Sequence, residues 1–135
     1  IHAAAGPALL AECRALREST LPDGLPVGDA VATGAGDLPC RWVIHTVGPN
    51  RHAGQTDPAL LASCFTRSLD VAADLGATSL AFPAVSAGIY GWDADEVARV
   101  AVAAVNGYAG RRHDTIRFVL FSERLLSAFR AALAG

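Results

Sequence analysis

The stretch Leu80-Ala81-Phe82-Pro83-Ala84-Val85-Ser86-Ala87-Gly88-Ile89-Tyr90-Gly91-Trp92-Asp93 constrains the fold more than any other part of the chain. An apolar run of strand character enters a turn with glycines at 88 and 91, and a helical pattern opens at Asp93. Glycine lets the backbone turn tightly and come close to a ligand, and the first N–H groups of a helix are unpaired donors at the positive end of its dipole. The expectation is an anion of phosphate type held between the turn and the start of that helix. The spacing departs from the dinucleotide fingerprint G-x-G-x-x-G, because Ser86 stands at the first glycine position. On spacing alone, an ordinary strand-to-helix connection fits as well as a phosphate site.

A chain of 135 residues with 52% hydrophobic content suits one compact domain spanning 1–135. The formal charge of −2 and the lack of any Lys/Arg run argue against nucleic acid or an anionic membrane at the main working face. Three scattered cysteines, Cys13, Cys40 and Cys64, supply neither a disulfide framework nor metal-ligand spacing. Cys13 and Cys64 fall on apolar helix faces and read as small core residues. No stretch approaches the ~20 apolar residues of a membrane span, and the N-terminus lacks signal-peptide features. A soluble cytoplasmic protein, expected to be monomeric, fits these properties. The sequence starts at Ile1 and contains no methionine, so it is expected to be N-terminally incomplete.

Four segments of strand character, near 28–33, 41–47, 78–84 and 115–121, alternate with helical patterns. The first helix follows Gly6-Pro7, with Leu9, Cys13 and Leu16 on one face. The second starts at Asp57-Pro58, carries Leu61, Phe65, Leu69, Ala72 and Leu75, and ends at Gly76. The third opens with Asp93 and Glu96, spaced as a capping box, and repeats Val97, Val100, Ala101, Ala104, Val105 and Tyr108. The fourth follows Ser122 with Leu125, Leu126, Phe129 and Leu133. This order predicts an α/β sandwich whose ligands bind beyond the strand C-termini, at the loops after residues 84 and 121. Thr33-Gly34-Ala35-Gly36-Asp37 reads as a connection between neighbouring strands.

Three motifs occur in order and at matching spacing: Ile1-His2-Ala3-Ala4-Ala5-Gly6-Pro7, Val43-Ile44-His45-Thr46-Val47-Gly48-Pro49, and Phe82-Pro83-Ala84-Val85-Ser86-Ala87-Gly88-Ile89-Tyr90-Gly91. On these the whole chain resembles a macrodomain, and within that family the MacroD-type branch. The resemblance implies a three-layer α/β/α sandwich around a central mixed sheet, with ADP-ribose across the strand C-termini. It also implies that the family's first strands, its Asn-Ala-Ala-Asn motif, its glycine-rich loop and its main acid would precede Ile1. Their absence predicts exposed strand edges and an incomplete pocket.

Carried over by resemblance, Val85, Ser86, Ala87, Gly88, Ile89, Tyr90 and Gly91 form the loop that wraps the diphosphate, chiefly through backbone N–H groups. Ala87 departs from the family's usual Ser or Thr, at the cost of one hydroxyl contact. Tyr90 closes over the distal ribose, with packing on the sheet edge as its alternative. Phe121 stacks on the adenine, or else is a core strand residue. His2 supports catalysis by orienting the distal ribose or a nearby acid. His45, inside a strand, is expected to be a hydrogen-bonded structural histidine.

The implied activity is release of ADP-ribose from modified acidic side chains of proteins, or deacetylation of O-acetyl-ADP-ribose, without a metal or redox cofactor. The partners are then ADP-ribose or mono-ADP-ribosylated proteins. A non-catalytic ADP-ribose reader ranks second and an inactive remnant third. A Rossmann dehydrogenase is a distant fourth, since the glycine loop comes late in the chain and begins with serine.

Overall fold

The computed structural model describes residues 2–110 and 113–135, residue 2 by its backbone alone. Its elements are α1 (His2–Ala5), α2 (Pro7–Glu18), β1 (Ala30–Gly34), β2 (Trp42–Thr46), a 3₁₀ turn (Arg51–Ala53), α3 (Pro58–Leu75), β3 (Ser79–Phe82), α4 (Ala94–Asn106), β4 (Thr115–Phe118) and α5 (Glu123–Ala134). The four long helices and four strands follow the predicted order. The short α1 and the 3₁₀ turn lack the length to show a periodic pattern.

Helix ends form where local chemistry directs them. Asp57 caps α3 by accepting the Ala59 N–H at 2.9 Å, Pro58 supplies the first turn, and Gly76 closes the helix at φ 75°. Ser122 caps α5 by accepting the Leu125 N–H at 3.2 Å. On α4 the side chain of Asp93 accepts the Asp95 N–H at 3.1 Å. The expected partner in that capping box, Glu96, turns away to bond Arg51 at 2.7 Å.

Hydrogen bonding divides the strands into two pairs. β1 and β2 are antiparallel, with Ala32 opposite Ile44, and β3 and β4 are parallel, with Phe82 opposite Phe118. The expected mixed character is therefore present, but as two two-stranded sheets rather than one continuous sheet among the described residues. Each strand is thus paired along one side only. The two sheets are joined through side chains: α3 lies against β1, β2 and α4. On that helix Leu61, Cys64, Phe65, Leu69 and Ala72 are fully buried. The Phe65 ring meets Phe82 and Phe118 with centroids 5.2 and 6.3 Å apart, and Phe118 meets Phe129 of α5 at 4.8 Å.

The periodic stripes are largely the buried ones, with two adjustments. On α4, Ala98 and Val102 join Val97 and Ala101 in the core. On α5, Leu125, Ala128 and Phe129 are buried while Leu133 is 60% exposed. Eight residues on from Leu125, position 133 has rotated about 80° off the buried face, whereas position 132 returns to it. Ala132 accordingly packs against the core.

Behind α3 and α4, the Tyr108 hydroxyl donates to Asp70 at 2.6 Å. Partial burial, this bond and the negative charges of Asp70 and Asp74 push the phenol up to about 12. The raised value favours the neutral phenol, so its contribution to stability is complete below the ordinary tyrosine range and is lost as pH rises through about 12. Tyrosinate absorbance should therefore show one of the two tyrosines titrating late, and Asp70→Asn should bring that titration down. In the core, Phe65→Ala should cost about 3–5 kcal/mol in urea unfolding, as for other buried phenylalanines.

Candidate functional site

The parallel register of β3 and β4 sends both strand C-termini to one end of the domain, so the 83–92 loop and the 119–122 segment leave the same edge. The ladder continues one step further, with the Val119 N–H donating to the Phe82 carbonyl at 2.8 Å. This is the edge at which the sequence places the ligand.

The loop folds as consecutive tight turns. N–H groups of Val85, Ala87 and Gly91 bond to carbonyls of Pro83, Ala84 and Gly88 at 3.1, 3.2 and 2.9 Å. Those of Ser86, Gly88, Ile89 and Tyr90 take no part in these turns. Ser86, Gly88 and Gly91 all have positive φ, at 68°, 81° and 78°. Ser86 is the single non-glycine residue in that region among the described residues, at a cost of about 1–2 kcal/mol. A Cβ on Gly88 would meet no protein atom within 4 Å, so the backbone there faces open space.

Two neighbouring segments back the loop. Gly48 is buried, and a Cβ on it would strike Ser86 Oγ and lie 2.7 Å from Val85 Cγ1. The Val47-Gly48-Pro49 segment is thus the floor on which Ser86 rests, and Ser86 Oγ is buried there without a hydrogen bond. At the other end, the Arg51 N–H donates to the Tyr90 carbonyl at 2.9 Å. The Arg51 guanidinium lies 4.3 Å over the ring of the buried Trp92 and bonds Glu96 of α4.

The helix N-terminus differs from the sequence expectation. Asp93 already occupies one of its N–H donors, and Asp93, Asp95 and Glu96 gather negative charge there. Arg124 offsets part of it, at 2.8 Å from Asp95 and 3.7 Å from Asp93, and its hydrogen bond holds the Asp95 carboxyl below its usual range. Carboxylates at this end offset the positive end of the helix dipole.

The predicted site residues are placed as follows. Val85 and Ala87 pack against the core, which accounts for a methyl where the family usually has a hydroxyl. Ile89 is 89% exposed, Tyr90 is 38% exposed, and Gly88 and Gly91 are open to solvent. Phe121 is 78% exposed beyond the end of β4, which removes its alternative as a core residue. The side chain of His2 lies outside the described residues. His45 bonds Thr33 Oγ1 at 2.9 Å and lies 3.9 Å from Cys13 Sγ, as a structural histidine should. Cys64 donates to the Val47 carbonyl at 3.3 Å, and burial pushes its thiol up, away from the reactive thiolate. Among the described residues no three His, Cys, Asp or Glu side chains could hold a metal, and no helix is long and apolar enough to cross a membrane. Grooves of about 600 and 390 Å³ flank α5, and neither is lined by the loop. Arg51 and Trp92 were missed by the sequence reading; the only signal was Trp92 directly after the last loop glycine.

Comparison with known proteins decides the family. Residues 1–101 match the Macro domain model. The chain belongs to the macro domain family. A macro domain-containing protein of Streptomyces coelicolor is 53% identical over 133 residues, covering 98% of this chain and 78% of its own length. An O-acetyl-ADP-ribose deacetylase of Klebsiella pneumoniae is 42% identical over 138 residues, covering 100% of this chain and 78% of its own. Among solved structures, a mutant of the Oceanobacillus iheyensis macrodomain with ADPR superimposes with a TM-score of 0.89 at 34% identity, covering 98% of this chain and 73% of that one. The macrodomain fold expected from the motifs is thereby established.

In this macrodomain, Gly48→Ala should force Ser86 or the 47–49 segment to shift, at about 1–3 kcal/mol for overpacking a filled site. Urea unfolding followed by tryptophan fluorescence measures it, and a loss under a few tenths would mean that the floor yields freely.

Proposed function

We propose that this macrodomain binds ADP-ribose along the 85–91 loop and acts in hydrolysing esters of ADP-ribose. The observation that carries this reading is the loop itself: three positive-φ positions within six residues shape it at the shared end of β3 and β4, with free space beside Gly88. The 42% identical deacetylase and the ADPR-bearing structural neighbour support the ligand and the reaction class.

In this reading the N–H groups of Ser86, Gly88, Ile89 and Tyr90, outside the turn bonds, donate to the diphosphate, and no hydroxyl at Ala87 is needed. Tyr90 closes over the distal ribose, and the exposed Phe121 stacks on the adenine. By resemblance, His2 has a supporting role, orienting the distal ribose or a neighbouring acid. Water adds to an ester carbonyl, the alkoxide leaves as a ribose hydroxyl, and the acyl group departs as a carboxylic acid, either acetic acid or a protein side chain. No metal or redox group takes part, and no second subunit is required.

Calorimetric titration of the chain with ADP-ribose, against AMP as control, should give saturable binding that prefers ADP-ribose. Gly88→Val should abolish it by filling the space beside the backbone, while unfolding changes only by the strain of positive φ. Unaltered affinity in that variant would remove the loop from the site. Release of acetate from O-acetyl-ADP-ribose, or of ADP-ribose from a glutamate-modified protein, tests the hydrolysis; binding without release selects a reader.

A further inference from the structure

The closing end of the loop is held from outside by residues that neither the motifs nor the comparisons single out. The turn following Pro49 is rigid in its own right: Asn50 Oδ1 accepts the His52 N–H at 3.0 Å, Gln55 Oε1 accepts the Asn50 N–H at 2.8 Å, and Gly54 closes it at φ 81°. From this turn the Arg51 N–H reaches the Tyr90 carbonyl, and Gly91 lies so close that a Cβ would sit 2.8 Å from His52 Nε2 and 3.4 Å from Arg51 Cβ. The Arg51 side chain then ties the turn to α4 through Glu96 and the face of Trp92.

Among the described residues, ion pairs of two kinds stand near the start of α4: those of Arg124 with Asp93 and Asp95, and that of Arg51 with Glu96. Arg124 and Asp95 are 59% and 47% exposed, so water screens their attraction. Arg51 and Glu96 are 35% and 26% exposed, and the guanidinium is further restrained by stacking on a buried indole. The inner pair can therefore fix a backbone position, which the outer one cannot.

We infer that Arg51 and Glu96 act as a brace setting the position of Tyr90 and Gly91, and hence the affinity of the loop for its ligand, without touching that ligand. Both are positioning residues. The ligand part of this inference rests on the proposed function; the brace itself does not.

Amide hydrogen exchange tests the brace without ligand. In Arg51→Met and Glu96→Gln, the amides at positions 51 and 91 should exchange at least about ten-fold faster than in the unaltered chain. Amides in α3 should keep their rates. The double variant should exchange no faster than the faster single one, since both changes break one link. Arg124→Met, which breaks the exposed pair at the same helix end, should leave the loop amides unchanged. In parallel, ADP-ribose affinity should fall by about five-fold or more in the two brace variants and hold in Arg124→Met. Loop amides unchanged in Arg51→Met, or accelerated equally in α3, would overturn the brace. If the unaltered chain takes up no ADP-ribose, the proposed function fails while the exchange rates still decide the brace.

Discussion

The packing of Phe65 and its neighbours on α3 is the constraint on which the remaining architecture depends. With two strand pairs and no hydrogen-bond ladder between them among the described residues, the sheets are aligned by what packs on them. α3 presents one face to β1 and β2, and its Phe65 ring reaches Phe82 and Phe118 in the other pair. Burial of large aromatic rings is non-directional but sterically exacting, because interiors are close-packed and a displaced ring leaves a void. The register of β3 with β4 then places both strand ends, and the loops that follow, at one edge.

That edge owes its character to backbone conformation more than to charged side chains. The loop holds three positive-φ positions in six residues, while the start of α4 is surrounded by three acidic side chains. A helix dipole is worth only a fraction of a kcal/mol to about 1 kcal/mol at an exposed terminus, and nearby carboxylates offset it. The backbone at Gly88, which faces open space, lies outside that ring of carboxylates. The same economy explains the diverted Glu96. At the position of a capping-box partner it had a local role available, yet a half-buried guanidinium two segments away offers a stronger, charge-assisted bond.

Much of this was legible in the chain itself. Helix boundaries at Pro7, Asp57 with Gly76, Asp93 and Ser122 follow from capping chemistry, which acts over three or four residues and leaves a mark in the sequence. The buried stripes follow from the 3.6-residue period, with Leu133 misassigned because that period drifts over two turns. The motifs around His45 and Ser86 identified the family and located the loop.

By its local patterns the sequence determined the order of elements, the caps, the apolar faces and the position of the glycine turn, since each depends on residues a few places apart. Tertiary structure alone decided that the strands pair two and two, that Phe121 stands in solvent, and that Gly48 forms the floor under Ser86. It also decided that Arg51 pairs with Glu96, 45 residues away. Such contacts depend on which surfaces meet after the chain has folded back on itself, and no short-range periodicity encodes a partner so distant along it.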